Sequence, residues 1–148
     1  MIIEKDLYDR ILRVMPIPCV DLHVTDSSGR VLLVKRKNEP MMHHWWFPGG
    51  RVLFKETRQQ AATRKLQEEC GLKPVFVREV GTYDLILPLP GEGEISHGIT
   101  TLFHINVGDE TAVTVDSQSA SAEWREPEAW LTEDLHDFVR SHITHENM

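Results

Sequence analysis

The most informative stretch of the sequence is residues 49–72, GGRVLFKETRQQAATRKLQEECGL. From residue 57 to Cys70 it predicts a helix, because small and apolar residues recur at three- and four-residue spacing. Gly71 supplies a typical helix stop, and Pro74 cannot continue the helix. We therefore expect a glycine-rich loop, one strongly polar helix and a second loop.

The polar face of this helix indicates a metal site. Lys65, Glu68 and Glu69 share one face, because residues three and four apart are neighbours on a helix. Two adjacent carboxylates repel each other unless water or a cation separates them, and hard oxygen ligands suit Mg²⁺ or Mn²⁺. The Gly49-Gly50 turn lets the backbone approach a ligand closely, so a carbonyl there is a further candidate ligand. For a lone Glu-Glu pair, a solvated acidic face is the usual alternative.

The remaining chain predicts alternating elements in one domain, residues 1–148. Helices and strands follow one another in a mixed order, with strands on both sides of the acidic helix in the sequence. This order favours an α/β sandwich over a regular parallel βαβ fold. The expected elements are a helix at 4–14, a hairpin of strands 19–25 and 31–34, a loop at 37–50, long strands at 75–87 and 95–107, a short strand at 122–125 and a helix at 131–143.

Composition limits the partners and the compartment. The net charge of −7 argues against a nucleic-acid groove, which needs a cationic surface. An acidic protein can still bind a phosphorylated small molecule if a divalent cation lies between the carboxylates and the phosphates. The sequence has no secretory signal pattern and no apolar run near the roughly 18 residues of a membrane span. We expect a cytoplasmic protein that acts on a small molecule and has no membrane partner.

The spacing within residues 50–72 resembles the Nudix box, Gly-x5-Glu-x7-Arg-Glu-apolar-x-Glu-Glu-x-Gly-apolar. The resemblance implies the Nudix α/β/α sandwich, with a mixed sheet and the box as loop-helix-loop. It implies a hydrolase of nucleoside diphosphates linked to another group, with Glu68 and Glu69 as ligands of Mg²⁺ or Mn²⁺. It also implies that Glu56 and Arg64 orient the helix. The matching residues are Gly50, Glu56, Arg64, Leu66, Glu68, Glu69, Gly71 and Leu72.

Lys65 departs from this pattern, because the usual family member has a metal-binding glutamate at this position. A protonated lysine cannot ligate a metal. Its ammonium could instead lie where a second cation would bind and pair with Glu69 one turn later, which predicts fewer metal ions, as few as one. The alternative is a degenerate box in a nucleotide-binding module without turnover.

One branch of the family, the GDP-mannose mannosyl hydrolases, lacks the same glutamate and works with one metal. The stretch from Asp21 to Val52 is similar to that branch, which implies attack of water on a sugar carbon, release of GDP, and a homodimer. In the branch, Gly49, Glu69 and Gln118 match metal contacts and Asp21, Arg36 and Arg51 match substrate contacts, with Arg51 also assisting catalysis. There are alternatives to these substrate contacts. The Asp21 side chain could face solvent, and both arginines could be ordinary surface residues.

Two departures from that branch leave the reaction open. Ser119 stands where the branch has its general-base histidine, and Glu68 is retained although the branch generally has only the second carboxylate. Both favour an ordinary Nudix pyrophosphatase that attacks phosphorus. Another residue could supply the base, the candidates being His97, His43 and His44. Trp45 and Trp46 could stack on a base or sugar, although we expect one of them in the core.

Overall fold

The computed structural model of the protein describes residues 3–115 and 119–144. These residues contain four helices and seven strands, joined by loops. In chain order they are α1 (Lys5–Val14), β1 (Ile17–Thr25), β2 (Val31–Arg36), β3 (Trp45–Trp46), β4 (Gly49–Arg51), α2 (Arg58–Cys70), β5 (Phe76–Pro88), β6 (Ile95–Asn106), β7 (Ser119–Arg125), α3 (Pro127–Trp130) and α4 (Asp137–Ile143).

The strands form one mixed sheet with the order β3-β2-β1-β6-β5, in which β4 also pairs with β1 and β7 with β2. β1 and β6 run parallel and bring Asp21 opposite Leu102, whereas the other pairs are antiparallel. The short β4 returns along β1 and places Gly49 opposite Asp21. The two strands therefore carry the glycine turn to the centre of the sheet.

The side-chain alternation of β2 shows how the sheet separates two apolar layers. Leu32 and Val34 pack with the α2 side chains Ala61, Ala62 and Leu66. Val31 and Leu33 point the other way and pack with residues of α3 and α4. The sheet thus lies between α2 on one face and α3 and α4 on the other, which confirms the predicted α/β/α sandwich. The apolar side chains from the C-terminal helices are Trp130, Phe138, Val139 and Ile143.

Local sequence signals account for both ends of α2. The Thr57 side chain accepts from Gln60 N, and the Gln60 side chain accepts from Thr57 N, so the two residues form a capping box. Gly71 ends the helix with a left-handed φ of 68°, a conformation that glycine adopts without steric cost. The predicted loop-helix-loop is therefore present, and α2 buries its narrow apolar stripe together with Glu69.

Two predicted elements were wrong in detail. Residues 37–50 are not all loop, because β3 and β4 pair with β2 and β1. The single helix expected at 131–143 is divided into α3, which begins at Pro127, and α4, which begins after His136. His136 has an extended backbone, and its side chain accepts from Phe138 N at 3.1 Å, so it caps a new helix rather than continuing the earlier one. Within the described residues, no helix is both long and apolar enough to cross a membrane.

Candidate active site

A cleft of about 1410 Å³ opens where α1, β1, β4, β6 and α2 meet. Its volume exceeds the 300–1,000 Å³ typical of pockets for small ligands. The cleft gathers most of the residues that the sequence singled out, although they come from separate parts of the chain. Those that line it are Asp21, Arg36, Gly49, Arg51, Lys65, Glu68, Glu69, His97 and Ser119.

Of the two carboxylates on the polar face of α2, Glu69 is the more buried one. Its side chain is only 8% exposed. Oε2 accepts a hydrogen bond from Gly49 N at 3.1 Å, and Oε1 lies 3.4 Å from the ammonium of Lys65. The hydrogen bond from the Gly49 N–H ties the glycine turn to the helix, so the Gly49 backbone and the Glu69 carboxylate are adjacent.

Glu68 differs from Glu69 although it is the next residue on the helix. Its side chain is 49% exposed, and Oε2 lies 3.0 Å from Arg64 Nη1 and 3.6 Å from Lys65 Nζ. Exposed ion pairs of this kind contribute little to stability. The predicted pairing of Lys65 with Glu69 is present, and the same ammonium also contacts Glu68.

Glu56 and Arg64 form the link between the glycine loop and the helix. Arg64 donates through Nε to Glu56 Oε2 at 2.7 Å and through Nη2 to Glu56 Oε1 at 3.0 Å. Nη2 also donates to the Arg51 carbonyl, and Glu56 Oε1 accepts from Leu53 N. The hydrogen bond from Arg64 lowers the pKa of Glu56, so the pair stays charged. These contacts join the loop before α2 to the helix.

Asp21 is buried in the cleft floor, so the alternative of a solvent-facing side chain was wrong. Oδ1 accepts from Trp46 Nε1 at 3.1 Å, and Oδ2 accepts from Thr100 Oγ1 at 2.6 Å. Burial raises the pKa of Asp21 to about 6, against the opposing effect of these hydrogen bonds. Trp46 is buried too and stacks on Phe138 at 5.9 Å, which confirms the expectation that one of the two tryptophans lies in the core.

Two arginines add positive charge to the cleft. Arg36 donates through Nε to the Pro40 carbonyl at 2.7 Å, and this hydrogen bond fixes the position of its guanidinium in the cleft wall. The Arg51 guanidinium lies 5.3 Å from the centre of the Tyr8 ring, so α1 supports it from across the cleft. Both side chains line the cleft, where arginine can bind phosphate oxygens through two parallel N–H groups.

The structure also sorts the candidate bases and shows residues that sequence reasoning missed. His97 is the only one of the three candidate histidines among the described residues that line the cleft, and Ser119 is buried there. Gln118 lies outside the described residues.

Tyr8 and Thr100 were not predicted as site residues, because an aromatic residue on an amphipathic helix and a threonine in a strand carry no signal of a site. Their positions depend on packing between distant segments.

The donor chemistry of the cleft fits a hard divalent cation. The described residues include no group of three histidine, cysteine, aspartate or glutamate side chains placed to hold a metal ion. Glu68, Glu69 and the Gly49 carbonyl nevertheless provide the oxygen donors that Mg²⁺ and Mn²⁺ prefer, and magnesium usually keeps several water ligands. The Lys65 ammonium lies beside the carboxylates of both Glu68 and Glu69.

The fold and this arrangement match a known family. Residues 15–145 match the NUDIX domain, and the chain belongs to the Nudix family, whose hydrolases act on small pyrophosphate-containing molecules and generally use divalent metal ions.

Relatives of known name support the assignment. The chain is 30% identical over 143 residues to the low-salt glycan biosynthesis protein Agl8 of Haloferax volcanii, covering 95% of this chain and 88% of that protein. It is 31% identical over 118 residues to an ADP-ribose pyrophosphatase of Methanocaldococcus jannaschii, covering 79% and 67%. A MutT Nudix hydrolase from Burkholderia pseudomallei has the same fold, with a TM-score of 0.71, 23% identity and coverage of 87% and 96%.

Proposed function

We propose that the protein hydrolyses a nucleoside diphosphate linked to a sugar, such as GDP-mannose, with Mg²⁺ or Mn²⁺. One observation carries the proposal: a single cleft combines oxygen donors for a divalent cation with two arginines suited to a diphosphate. The oxygen donors are Gly49, Glu68 and Glu69, and the arginines are Arg36 and Arg51. A nucleotide-binding module without turnover would not need this combination with a carboxylate as constrained as Glu69.

Each group has a distinct role in this proposal. Glu68, Glu69 and the Gly49 carbonyl would hold the cation, which neutralises diphosphate charge when bound. Arg36 and Arg51 bind and orient the phosphate oxygens and stabilise the negative charge of the departing diphosphate. The Glu56–Arg64 pair positions the glycine loop and α2 without contacting the substrate.

The sugar component is supported by the size of the cleft and by the relatives. The cleft has room for a group beyond the nucleotide. One relative is a glycan biosynthesis protein, and the other is named for ADP-ribose, which is itself a nucleoside diphosphate joined to a sugar. Asp21 offers an acceptor for a substrate hydroxyl, because each carboxylate oxygen has more than one lone pair and uses one here.

Attack at phosphorus is the second candidate reaction. Ser119 supplies no base near neutral pH, so the branch mechanism at carbon lacks its histidine at this position. The pyrophosphatase relative also favours attack at phosphorus. For attack at carbon, we propose that His97, which lines the cleft, accepts a proton from the attacking water.

Hydrolysis in ¹⁸O-labelled water separates these reactions. The purified protein is incubated with Mg²⁺ and a panel of nucleoside diphosphate sugars, and products are read by mass spectrometry. We expect label in the free sugar beside unlabelled GDP. Label in a phosphorylated product would instead establish attack at phosphorus. No turnover above that of Glu69→Gln across the panel would contradict the hydrolase proposal and favour a binding module.

We also propose a homodimer, based on the branch resemblance and on the N-terminal helix. The described residues of α1 include none that is buried, and Leu7 and Leu12 remain 47% and 40% exposed. A second copy would cover this apolar surface. Light scattering tests the proposal, because a mass of one 17.0 kDa chain would contradict it.

A further inference from the structure

The side chain of Tyr8 brings the N-terminal helix α1 into contact with the cleft. Tyr8 is half-buried, and the centre of its ring lies 5.3 Å from Cζ of Arg51. Burial raises the pKa of Tyr8, against the opposing effect of the Arg51 charge, so the phenol stays neutral at physiological pH. Tyr8 therefore meets the guanidinium with a neutral aromatic ring and not with a negative charge.

Other elements fix the backbone of Arg51. The residue lies opposite Cys19 in the pairing of β4 with β1, and its carbonyl accepts from Arg64 Nη2 at 3.0 Å. These contacts hold the start of a long, flexible side chain, whereas the Tyr8 ring acts at its charged end. A cation–π contact uses no N–H donor, so it is compatible with N–H donation from Arg51 to phosphate oxygens.

The position of α1 gives this contact its importance. The described residues of α1 include none that is buried, so the helix adds little to the apolar core. One side of α1 nevertheless lines the cleft, with Tyr8 and Leu12 among the residues on that side. The helix thus has a place in the cleft wall that core packing does not explain.

We propose that Tyr8 is a positioning residue that orients the Arg51 guanidinium toward the diphosphate of the substrate. A guanidinium that is held in place beforehand loses less conformational entropy when the diphosphate binds. Tyr8 acts through Arg51, so the binding site needs the aromatic ring and not the hydroxyl group. The inference rests on the proposed function, because it takes Arg51 as a ligand of the diphosphate.

Calorimetric titration with GDP and with ADP, each in the presence of Mg²⁺, tests the proposal. We expect Tyr8→Leu to bind the nucleotide about tenfold more weakly than the wild-type protein, because the cation–π contact is lost. Tyr8→Phe keeps the ring and should bind within about twofold of wild type. Tyr83→Leu is the matched control and should keep the wild-type affinity, since Tyr83 packs against Phe138 and His142.

A double-mutant cycle shows whether Tyr8 acts through Arg51. Arg51→Met should weaken binding by itself, and Tyr8→Leu should cause no further loss in the Arg51→Met protein. Additive losses would overturn the proposal, because Tyr8 would then act independently of the arginine. An unchanged affinity of Tyr8→Leu would overturn it too, as would an equal loss in Tyr8→Phe.

The titration is independent of turnover. A loss of affinity in Tyr8→Leu can be measured even if the protein hydrolyses no nucleoside diphosphate sugar, so this inference and the hydrolase proposal can fail separately. A wild-type protein that binds neither nucleotide would overturn the inference, because Arg51 would then bind no diphosphate. Circular dichroism and thermal melting establish that each variant is folded, and Tyr8→Met replaces Tyr8→Leu if that variant does not fold.

Discussion

Asp21 and Glu69 lie in one cleft and are buried to the same extent, because each residue as a whole is 6% exposed. Their hydrogen-bond and charge partners differ. Glu69 lies beside a lysine and accepts from a backbone N–H, whereas Asp21 accepts from the Trp46 indole N–H and the Thr100 hydroxyl. Burial raises the pKa of Asp21 to about 6, because the two hydrogen bonds and the charge of Arg36 do not offset the desolvation of the carboxylate. The comparison shows that two carboxylates buried to the same extent can have different partners, a charged lysine for Glu69 and neutral donors for Asp21.

The largest expected effect is on catalysis at Glu69. Glu69→Gln keeps an oxygen for the Gly49 hydrogen bond but removes the charge that would hold the cation. We expect kcat/KM to fall about a thousandfold, equivalent to roughly 4 kcal/mol. Glu68→Gln is the matched control and should lose only about tenfold, because that side chain is half exposed and shared with Arg64. Equal losses in the two variants would remove the distinction between them.

The next effect concerns His23, which lies two residues after Asp21 on the same strand face. Its Nε2–H donates to the Ile143 carbonyl at 3.3 Å, so Nδ1 accepts from His104 Nδ1 at 3.1 Å. Burial lowers the pKa of His23 to about 4. Between that value and the unfolded pKa near 6.5, only the unfolded chain takes up this proton, so the free energy of unfolding falls as the pH falls.

We expect this loss to reach about 3 kcal/mol for His23 between pH 7.5 and 4. Urea unfolding of wild type and His23→Gln should show it, because the variant lacks the group and its stability falls less over the same range. His43→Gln is the control, since His43 is exposed and should leave the wild-type pH dependence intact. Parallel pH curves for wild type and His23→Gln would contradict the assignment.

The smallest effect tests the stability cost of Asp21. Asp21→Asn removes a buried charge while keeping the shape, so we expect the free energy of unfolding to rise by about 2 kcal/mol at pH 7.5. Between pH 6 and 3.8 only the folded wild type takes up this proton, so its stability rises as the pH falls, and the advantage of the variant should shrink. A variant that is less stable than wild type at pH 7.5 would show that the ionised form is preferred.

Local patterns explain why much of the fold was predictable. The turn at residues 26–29, the capping residues and the apolar stripe of α2 each act over a few neighbours, so the hairpin and the helix could be predicted from sequence. The C-terminal helix was not predicted correctly, because His136 has an extended backbone and caps α4 with its side chain. The His136 ring also packs against Trp46, a residue far away in the chain, and such a contact cannot be read from local sequence.

The residues of the candidate site also differ in whether local sequence could predict them. Glu56, Arg64, Glu68 and Glu69 were predicted with their spacing, and the Lys65–Glu69 contact followed from helical geometry. The contact between Thr100 and Asp21 was not predictable, since 79 residues separate them and only the parallel register of β1 and β6 joins them. The support of Arg51 by Tyr8 similarly requires α1 to cross the cleft.

The sequence by itself therefore determined the Nudix helix and its charged face, and it supplied the candidate residues that we propose for binding a metal or a phosphate. Those properties depend on residue type and on helical periodicity, which act locally. Only the tertiary structure decided that Asp21 is buried, that His97 rather than His43 or His44 lines the cleft, and that Gly50 leaves space for Lys65. Burial and close approach arise when distant segments pack together, and these contacts set the charge of the site.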